Sequence, residues 1–262
     1  MLREPLSYAT AAGLVAFLCL AVPATAQVSP GLGNATSYSI LAGSEVTNTG
    51  ATTISGDVGI SPGIGPAPHF SGFGTVTLGG TIHDADAAAL SAQNDKNAAY
   101  GALDQACTFT YPGAFGELAG QTLVPGVYCA TQFRLSGGTL TLSGAAGDTW
   151  IFKSASSLII SGGAPARVVS PSCNIWWRIV SSATFDANSS LAGNILADTS
   201  ITMAAGASLV GRALARTAEV TLSSNSITGC VAPVPTLSEW GMIALSVLLA
   251  LAAFTAMRRQ RA

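Results

Sequence analysis

The chain has 262 residues and a formal net charge of −2, and only 9% of its residues are Asp, Glu, Lys or Arg, against about 25% in an average soluble domain. So few charges leave little material for a catalytic cluster, and without a basic stripe to neutralise phosphates nucleic acid is excluded as a partner. The 29 glycines and a hydrophobic content of 49% point instead to many short apolar strands joined by turns.

Residues 1–26 read as a secretory signal, with Arg3, an apolar core from Ala11 to Val22, and the small-residue site Ala24-Thr25-Ala26 before Gln27. That apolar run is too short to span a bilayer. The cysteines agree with export. Cys19 leaves with the signal, and Cys107, Cys129, Cys173 and Cys230 remain as an even set with no Cys-x-x-Cys pair. Of the three pairings that four cysteines allow, sequence order favours Cys107 with Cys129 and Cys173 with Cys230; a metal site is the competing reading, to which only His69 and His83 could be added. No metal and no cofactor are expected.

From residue 27 to 232 short Val/Ile/Leu/Thr runs alternate with Gly, Ser, Asn and Ala, the pattern of an all-β domain. One stretch departs from it. About 83–106, HDADAAALSAQNDKNAAYGALDQA, is rich in helix formers and carries Asp84 and Asp86 at the end where a helix dipole is positive, which predicts one long helix.

Further along, Gly193, Gly211 and Gly229 are evenly spaced and close similar tails, SSLAG, ASLVG and NSITG, as successive coils of a solenoid would. Aligning them stacks Ser190, Ser208 and Ser226 in one column and Leu191, Leu209 and Ile227 in the next. Strand side chains alternate faces, so the apolar column is core and the serines lie outside. Ala183 and Phe185 match Ile201 and Met203, whereas Val220 and Leu222 are displaced by one residue, as a turn one residue shorter would allow. TTISG (52–56), TLTLSG (139–144) and LIISGG (158–163) read as further rungs.

Two adjacent tryptophans, Trp176 and Trp177, place one ring inward and the other on the surface, where a sugar-stacking platform is an alternative to packing. A β-helical lyase or hydrolase would need clustered carboxylates or basic groups. The coils from 174 to 229 offer only Arg178, Asp186, Asp198, Arg212, Arg216 and Glu219, which do not cluster, so no catalytic residues are assigned.

After the domain, VPTLSEWG leads into an apolar stretch from Met242 to Met257 and then Arg258-Arg259-Gln260-Arg261, near the length of a transmembrane helix with its basic end in the cytoplasm. The arrangement resembles the IPTL-type C-terminal sorting signals of Gram-negative bacteria, with Val234 in place of Ile ahead of Pro235, Thr236, Leu237, Ser238, Glu239, Trp240 and Gly241. The resemblance implies recognition and removal by an exosortase-like membrane protease. Residues 233–262 are therefore read as a sorting signal and the protein as exported to the envelope or surface, with release after processing as an alternative.

The segments SYSILAGSEVTNTGATTISGDVGISPG (37–63), TVTLGGTIHDADAAALSAQND (75–95), LAGQTLVPGVY (118–128), LSGGTLTLSGAAGDTWIFKSASSL (135–158) and 174–228 resemble, in order, the microbial ice-binding protein domain. The resemblance implies a right-handed discontinuous β-solenoid of triangular cross-section, its N-terminal segment inserted between later coils and an α-helix packed alongside. It also implies a monomeric domain whose partners are the ice surface and ordered water, held by a flat face bearing Thr-Ala/Gly-x-Thr/Asn-like motifs.

Thr49-Gly50-Ala51-Thr52 fits that motif, while Ala187-Asn188-Ser189-Ser190, Ala205-Gly206-Ala207-Ser208 and Ser223-Ser224-Asn225-Ser226 fit it partly. The face candidates are thus Thr49, Thr52, Thr53, Asn188, Ser190, Ser208, Ser224 and Ser226, with Thr53 favoured over Thr52 because Ile54 belongs inside. Serine lacks the methyl that holds the threonine rotamer, which implies modest ice activity. An adhesin or matrix protein on the same scaffold is the alternative.

Overall fold

The computed structural model describes residues 27–161, 167–170 and 173–229. The signal segment, Cys230, the Val234–Gly241 motif and the apolar run 242–257 lie outside these. Among the described residues no helix is long and apolar enough to cross a membrane.

The first two coils are β1 (Tyr38–Ala42), β2 (Val46–Thr49), β3 (Thr52–Ile54) and β4 (Asp57–Ile60), then β5 (Phe70–Ser71), β6 (Val76–Leu78) and β7 (Ile82–Asp84), followed by the helix α1 (Ala87–Ala102). The later coils are β8 (Phe109–Thr110), β9 (Gly116–Glu117) and β10 (Thr122–Leu123); β11 (Gly126–Ala130), β12 (Phe133–Ser136) and β13 (Thr139–Leu142); β14 (Trp150–Ser154), β15 (Leu158–Ser161) and β16 (Arg167–Val169). The chain ends its coils with β17 (Ile175–Ile179), β18 (Ala183–Phe185), β19 (Ser190–Ala197), β20 (Ile201–Met203), β21 (Ser208–Ala215), β22 (Val220–Ser223) and β23 (Ser226–Thr228). TTISG, TLTLSG and LIISGG do fall on strands.

Every strand pairing is parallel, and the strands form three faces. One runs β9, β12, β15, β18, β20, β22, β2, β5. The second joins β10, β13, β16, the first halves of β19 and β21, then β23, β3 and β6. The third joins β8, β11, β14, β17, the second halves of β19 and β21, then β1, β4 and β7. The two long strands pass from the second face to the third at Gly193 (φ 117°) and Gly211 (φ 152°). A Cβ on Gly211 would come 2.6 Å from the carbonyl carbon of Gly193, so the regular glycines are corners where backbones close on one another.

The N-terminal coils do not sit between later ones. They continue the stack past the last coil: β1 pairs with β21, β2 with β22 and β3 with β23. The last turns also settle the displaced register. Ser208 still faces Ser226, but Ile201 faces Val220, because one more residue precedes β22 and one fewer follows it.

Inside, the alternation that stacks coils also stacks like side chains. Tyr128, Phe152 and Trp177 share a register, the first two rings stacking at 5.5 Å and the last two at 4.2 Å. Trp176 points outward, as alternation requires, but it is only 4% exposed and its indole N–H donates to Ser29 Oγ. That burial removes it as a sugar platform.

The helix is shorter than the 83–106 expected. His83 and Asp84 complete β7, which pairs with β4, so Asp86 becomes the N-cap and its carboxylate accepts from the Ala89 N–H at 2.8 Å. Asp84 instead holds His69 Nδ1 at 2.5 Å. At the other end buried Leu103 closes the helix, and a disulfide from Cys107 to Cys129 pins the exit to β11. Cys173 is also disulfide-bonded.

α1 lies over the third face. Leu41, Val127, Ile151, Trp176, Leu196 and Leu214 point outward there and pack with Leu32, Ala35, Ala92, Ala99 and Leu103. Polar side chains on the same helix side fix its height. Gln93 donates to Ala215 O and Arg216 O, Lys96 to Ala197 O, and Tyr100 to Ile179 O. These carbonyls end successive rungs. A helical pitch of about 5.4 Å and a rung spacing of about 4.8 Å let one turn serve one rung.

Candidate functional site

With the third face covered, two faces stay open to solvent, and the sequence candidates divide between them and their shared edge. Ser190, Ser208 and Ser226 stack in register as the repeat implies, and the column runs on to Thr53 and Thr77. Ala192, Val210 and Thr228 form a parallel outward row. Thr53 is exposed and Ile54 fully buried.

Thr52, by contrast, points inward and is 1% exposed, so it belongs to no outer face. Its hydroxyl donates to Asn48 Oδ1 at 2.6 Å and accepts from the Asn225 N–H at 3.0 Å. Asn225 Nδ2 in turn donates to Ala204 O and Ala207 O, both at 2.9 Å, and Asn48 Nδ2 to Gly50 O and Gly72 O. A polar ladder therefore fills the inside of the edge between the two open faces and satisfies the backbone groups that the turns expose.

Asn188 and Ser224 are on that edge, not on a flat face. Both take left-handed backbone, φ 60° and 49°, and stack with Gly206 (φ 73°), Gly50 (φ 79°) and Gly72 (φ 70°) in the equivalent turns. A Cβ on Gly206 would lie 2.5 Å from Asn188 Oδ1, which explains the glycine between two side-chain-bearing turns. The turn geometry selects these residues.

Thr49 opens onto the first face, where sequence reasoning missed the more regular array. Thr184, Thr202, Thr221, Thr47 and Ser71 stack in unbroken register along β18, β20, β22, β2 and β5. Beside them Ser223 faces Thr49. Thr184, Ser71 and Thr49 are exposed, and Thr47, Thr202 and Thr221 partly so, wedged by their column neighbours. The signal was present in the triplets Ala183-Thr184-Phe185, Ile201-Thr202-Met203, Val220-Thr221-Leu222 and Val46-Thr47-Asn48. The outer residues point in, so each middle threonine must point out.

No charge interrupts this column. It ends at Ile159, and only beyond that do Arg134 and Glu117 follow in register. Asp186 stands at the edge of the last threonine-bearing coil. Elsewhere among the described residues no group of three or more His, Cys, Asp or Glu could hold a metal ion. What the arrangement offers is a rigid grid of hydroxyl and methyl groups about 4.8 Å apart between rungs.

Comparison with known proteins agrees with this architecture. Residues 40–228 match the Ice-binding-like family, and residues 232–259 match the IPTL-CTERM motif. An ice-binding protein of Nostoc sp. (strain HG1) is 34% identical over 207 residues, 78% of this chain and 75% of its own. One from Flavobacterium frigoris (strain PS1) is 35% identical over 220 residues, covering 75% of each chain. Among solved structures, an ice binding protein from an Antarctic Biological Consortium superposes with a TM-score of 0.71 at 36% identity, covering 78% of this chain and 92% of its own. That of the Antarctic ascomycete Antarctomyces psychrotrophicus gives 0.67 at 32% identity, with 77% and 98% covered. A three-faced parallel solenoid with one helix clamped along a side, matched over most of its length by both sequence and structure, places this chain in the ice-binding-like protein family.

Proposed function

We propose that this protein adsorbs to ice through the threonine face, Thr184, Thr202, Thr221, Thr47 and Ser71 with Thr49 and Ser223 beside them, and so restrains ice growth or recrystallisation. The observation that carries the reading is the uncharged, in-register column on a parallel sheet that the helix leaves bare. β-branching restricts χ1 of threonine on a pleated surface, so its methyl and hydroxyl groups hold a nearly fixed lattice on which water can order. Many weak water-mediated contacts then engage together, and none of them has to be strong. The family is named for binding, and no catalytic role enters the proposal.

Export and sorting complete the reading. Residues 1–26 act as the signal, residues 27–232 as the ice-binding domain, and residues 233–262 as a sorting signal cut by an exosortase-like membrane protease. The IPTL-CTERM match supports the last step and favours surface association.

The test is nanolitre osmometry with a recrystallisation assay on the purified, oxidised protein. Faceted crystals with a measurable hysteresis gap are expected, and Thr202→Tyr should abolish most of it while leaving the circular dichroism unchanged. Crystals that grow as in buffer would overturn ice binding and leave the adhesin alternative.

A further inference from the structure

The last described residue, Gly229, stands at a corner of the solenoid. Ser226, Ile227 and Thr228 pair with Ser208, Leu209 and Val210, so Gly229 takes the place of Gly211 between the second and third faces. At Gly193 and Gly211 the chain turns that corner and runs on along the third face. At Gly229 it cannot, because β1 already occupies the next place there, Ile40 and Leu41 pairing with Ala213 and Leu214. The Gly229 N–H donates instead to Ser55 Oγ at 2.7 Å, on the corner of the following rung. The chain therefore leaves the solenoid outward from this edge.

In a coil of three faces, the edge between the second and third lies opposite the first, which carries the threonine column. The other end of the described chain is held away from that column too. Val28 exchanges hydrogen bonds with the Gln105 side chain, its N–H donating at 3.1 Å and its carbonyl accepting at 2.7 Å. Ser29 Oγ then accepts from the indole of Trp176 on the third face. Both ends of the domain, and the helix, are thus on the sides that the threonine face turns its back to.

Resting on the readings of the threonine face as ice-binding and of residues 233–262 as a sorting signal, we propose that the protein works while held at the cell surface. The edge at Gly229 points to the cell, the threonine face points away from it, and the molecule fastens the cell to ice. The link between domain and attachment is short. The IPTL-CTERM match begins at residue 232, three residues past Gly229, which is about 10 Å of chain. Even counted to Met242, where the apolar run begins, a link with no fixed structure would span about 20 Å. The eight stacked rungs of the first face extend about 34 Å. The domain therefore stays beside its attachment with the threonine face outermost. Many copies on one cell engage one crystal together, so modest adsorption per molecule is enough to hold the cell.

The experiment displays the full chain, with its own signals, on a Gram-negative host that carries a matching sorting protease. Surface protein is quantified with antibody, washed cells retained on an ice surface are counted, and hysteresis is measured on protein extracted from the same cells. Retention about tenfold above cells lacking the chain is expected. Thr202→Tyr should return it to background at equal surface amount. Thr184→Tyr, at an exposed position on the neighbouring rung, repeats that test without touching a partly buried site. Active extracted protein on cells that wash off the ice would show that the tether hides the face, which overturns the surface role and leaves ice binding intact. A chain recovered only from the medium overturns the surface role as well. Cells held equally by wild type and both tyrosine variants would mean that another surface meets the ice, so the outward threonine face is wrong. Extracted protein without hysteresis, from cells that wash off, overturns both readings.

Discussion

The threonine face and the helix-covered face are built by the same alternation, yet their outward columns differ throughout. On the covered face Leu41, Leu214 and Leu196 stand where the threonine face has Thr47, Thr221 and Thr202, and Trp176, Ile151 and Val127 extend the apolar side. Inward residues are interchangeable in kind between the two, since both feed one core. The outward residue alone therefore decides whether a sheet recruits a helix or is left to water. Leucine needs burial, worth about 25 cal/mol per Å² of apolar surface, and α1 supplies it; threonine packs against its column neighbours and keeps its hydroxyl wet.

That contrast predicts unequal costs. Leu196→Ala on the covered face should destabilise the fold by about 2–5 kcal/mol in denaturant unfolding, because the clamp against Leu214 and α1 leaves little room to collapse around the cavity. Its ice activity, corrected for the folded fraction, should be unchanged. Lost hysteresis in a fully folded Leu196→Ala would show that the covered face shapes the ice-binding plane and would break the comparison.

A charge buried beneath the helix sharpens it next. Lys96 is fully buried and its ammonium has one carbonyl partner, Ala197 O at 3.2 Å, with the Asp198–Arg216 ion pair and the Tyr100 ring nearby. Burial pulls its pKa down from 10.5 to about 7. Between these values the unfolded chain binds the proton that the folded one releases, so stability rises with pH across the window and the penalty is complete and constant below it. From pH 7 to 9.5 the gain should be about 3 kcal/mol. Lys96→Met should raise stability at pH 7 and flatten the profile; a profile of unchanged slope in that variant would show that other groups set the pH dependence. The disulfide at the end of the same face should contribute about as much. Replacing Cys107 and Cys129 by serine frees a 22-residue separation and should lower stability by about 3 kcal/mol.

Much of this was legible in the sequence. The coils, the register of Ser190, Ser208 and Ser226, the helix and the first disulfide follow from spacing, composition and cysteine order. The threonine column did not follow, for two physical reasons. Thr47 belongs to an N-terminal coil that stacks beyond the C-terminal one, so no linear repeat lines it up with Thr221. The extra residue before β22 also breaks the even spacing on the threonine side while leaving the serine side intact, so the sequence repeat displays only the serine column. Thr52, Asn188 and Ser224 were misplaced for a related reason: their residue types suit a water-facing array, but an edge turn needs the same types to satisfy backbone groups and accept left-handed backbone.

The smallest expected effect on stability is the most informative about water. Thr202 lies on a partly exposed column with Thr184 and Thr221 as neighbours, so Thr202→Val and Thr202→Ser should each change stability by about 0.5 kcal/mol or less. They separate the two parts of the side chain. Valine keeps the branched shape and the stiff rotamer but drops the hydroxyl; serine keeps the hydroxyl but lets it swing. If a fixed lattice is what orders water, hysteresis should fall in the order wild type, Thr202→Val, Thr202→Ser, Thr202→Tyr. The reverse order for valine and serine would mean that the hydroxyl itself anchors the water and that rotamer stiffness matters less. In that case the serine-bearing face would be the equal of the threonine face, and the difference between them would lie only in how completely each column is filled.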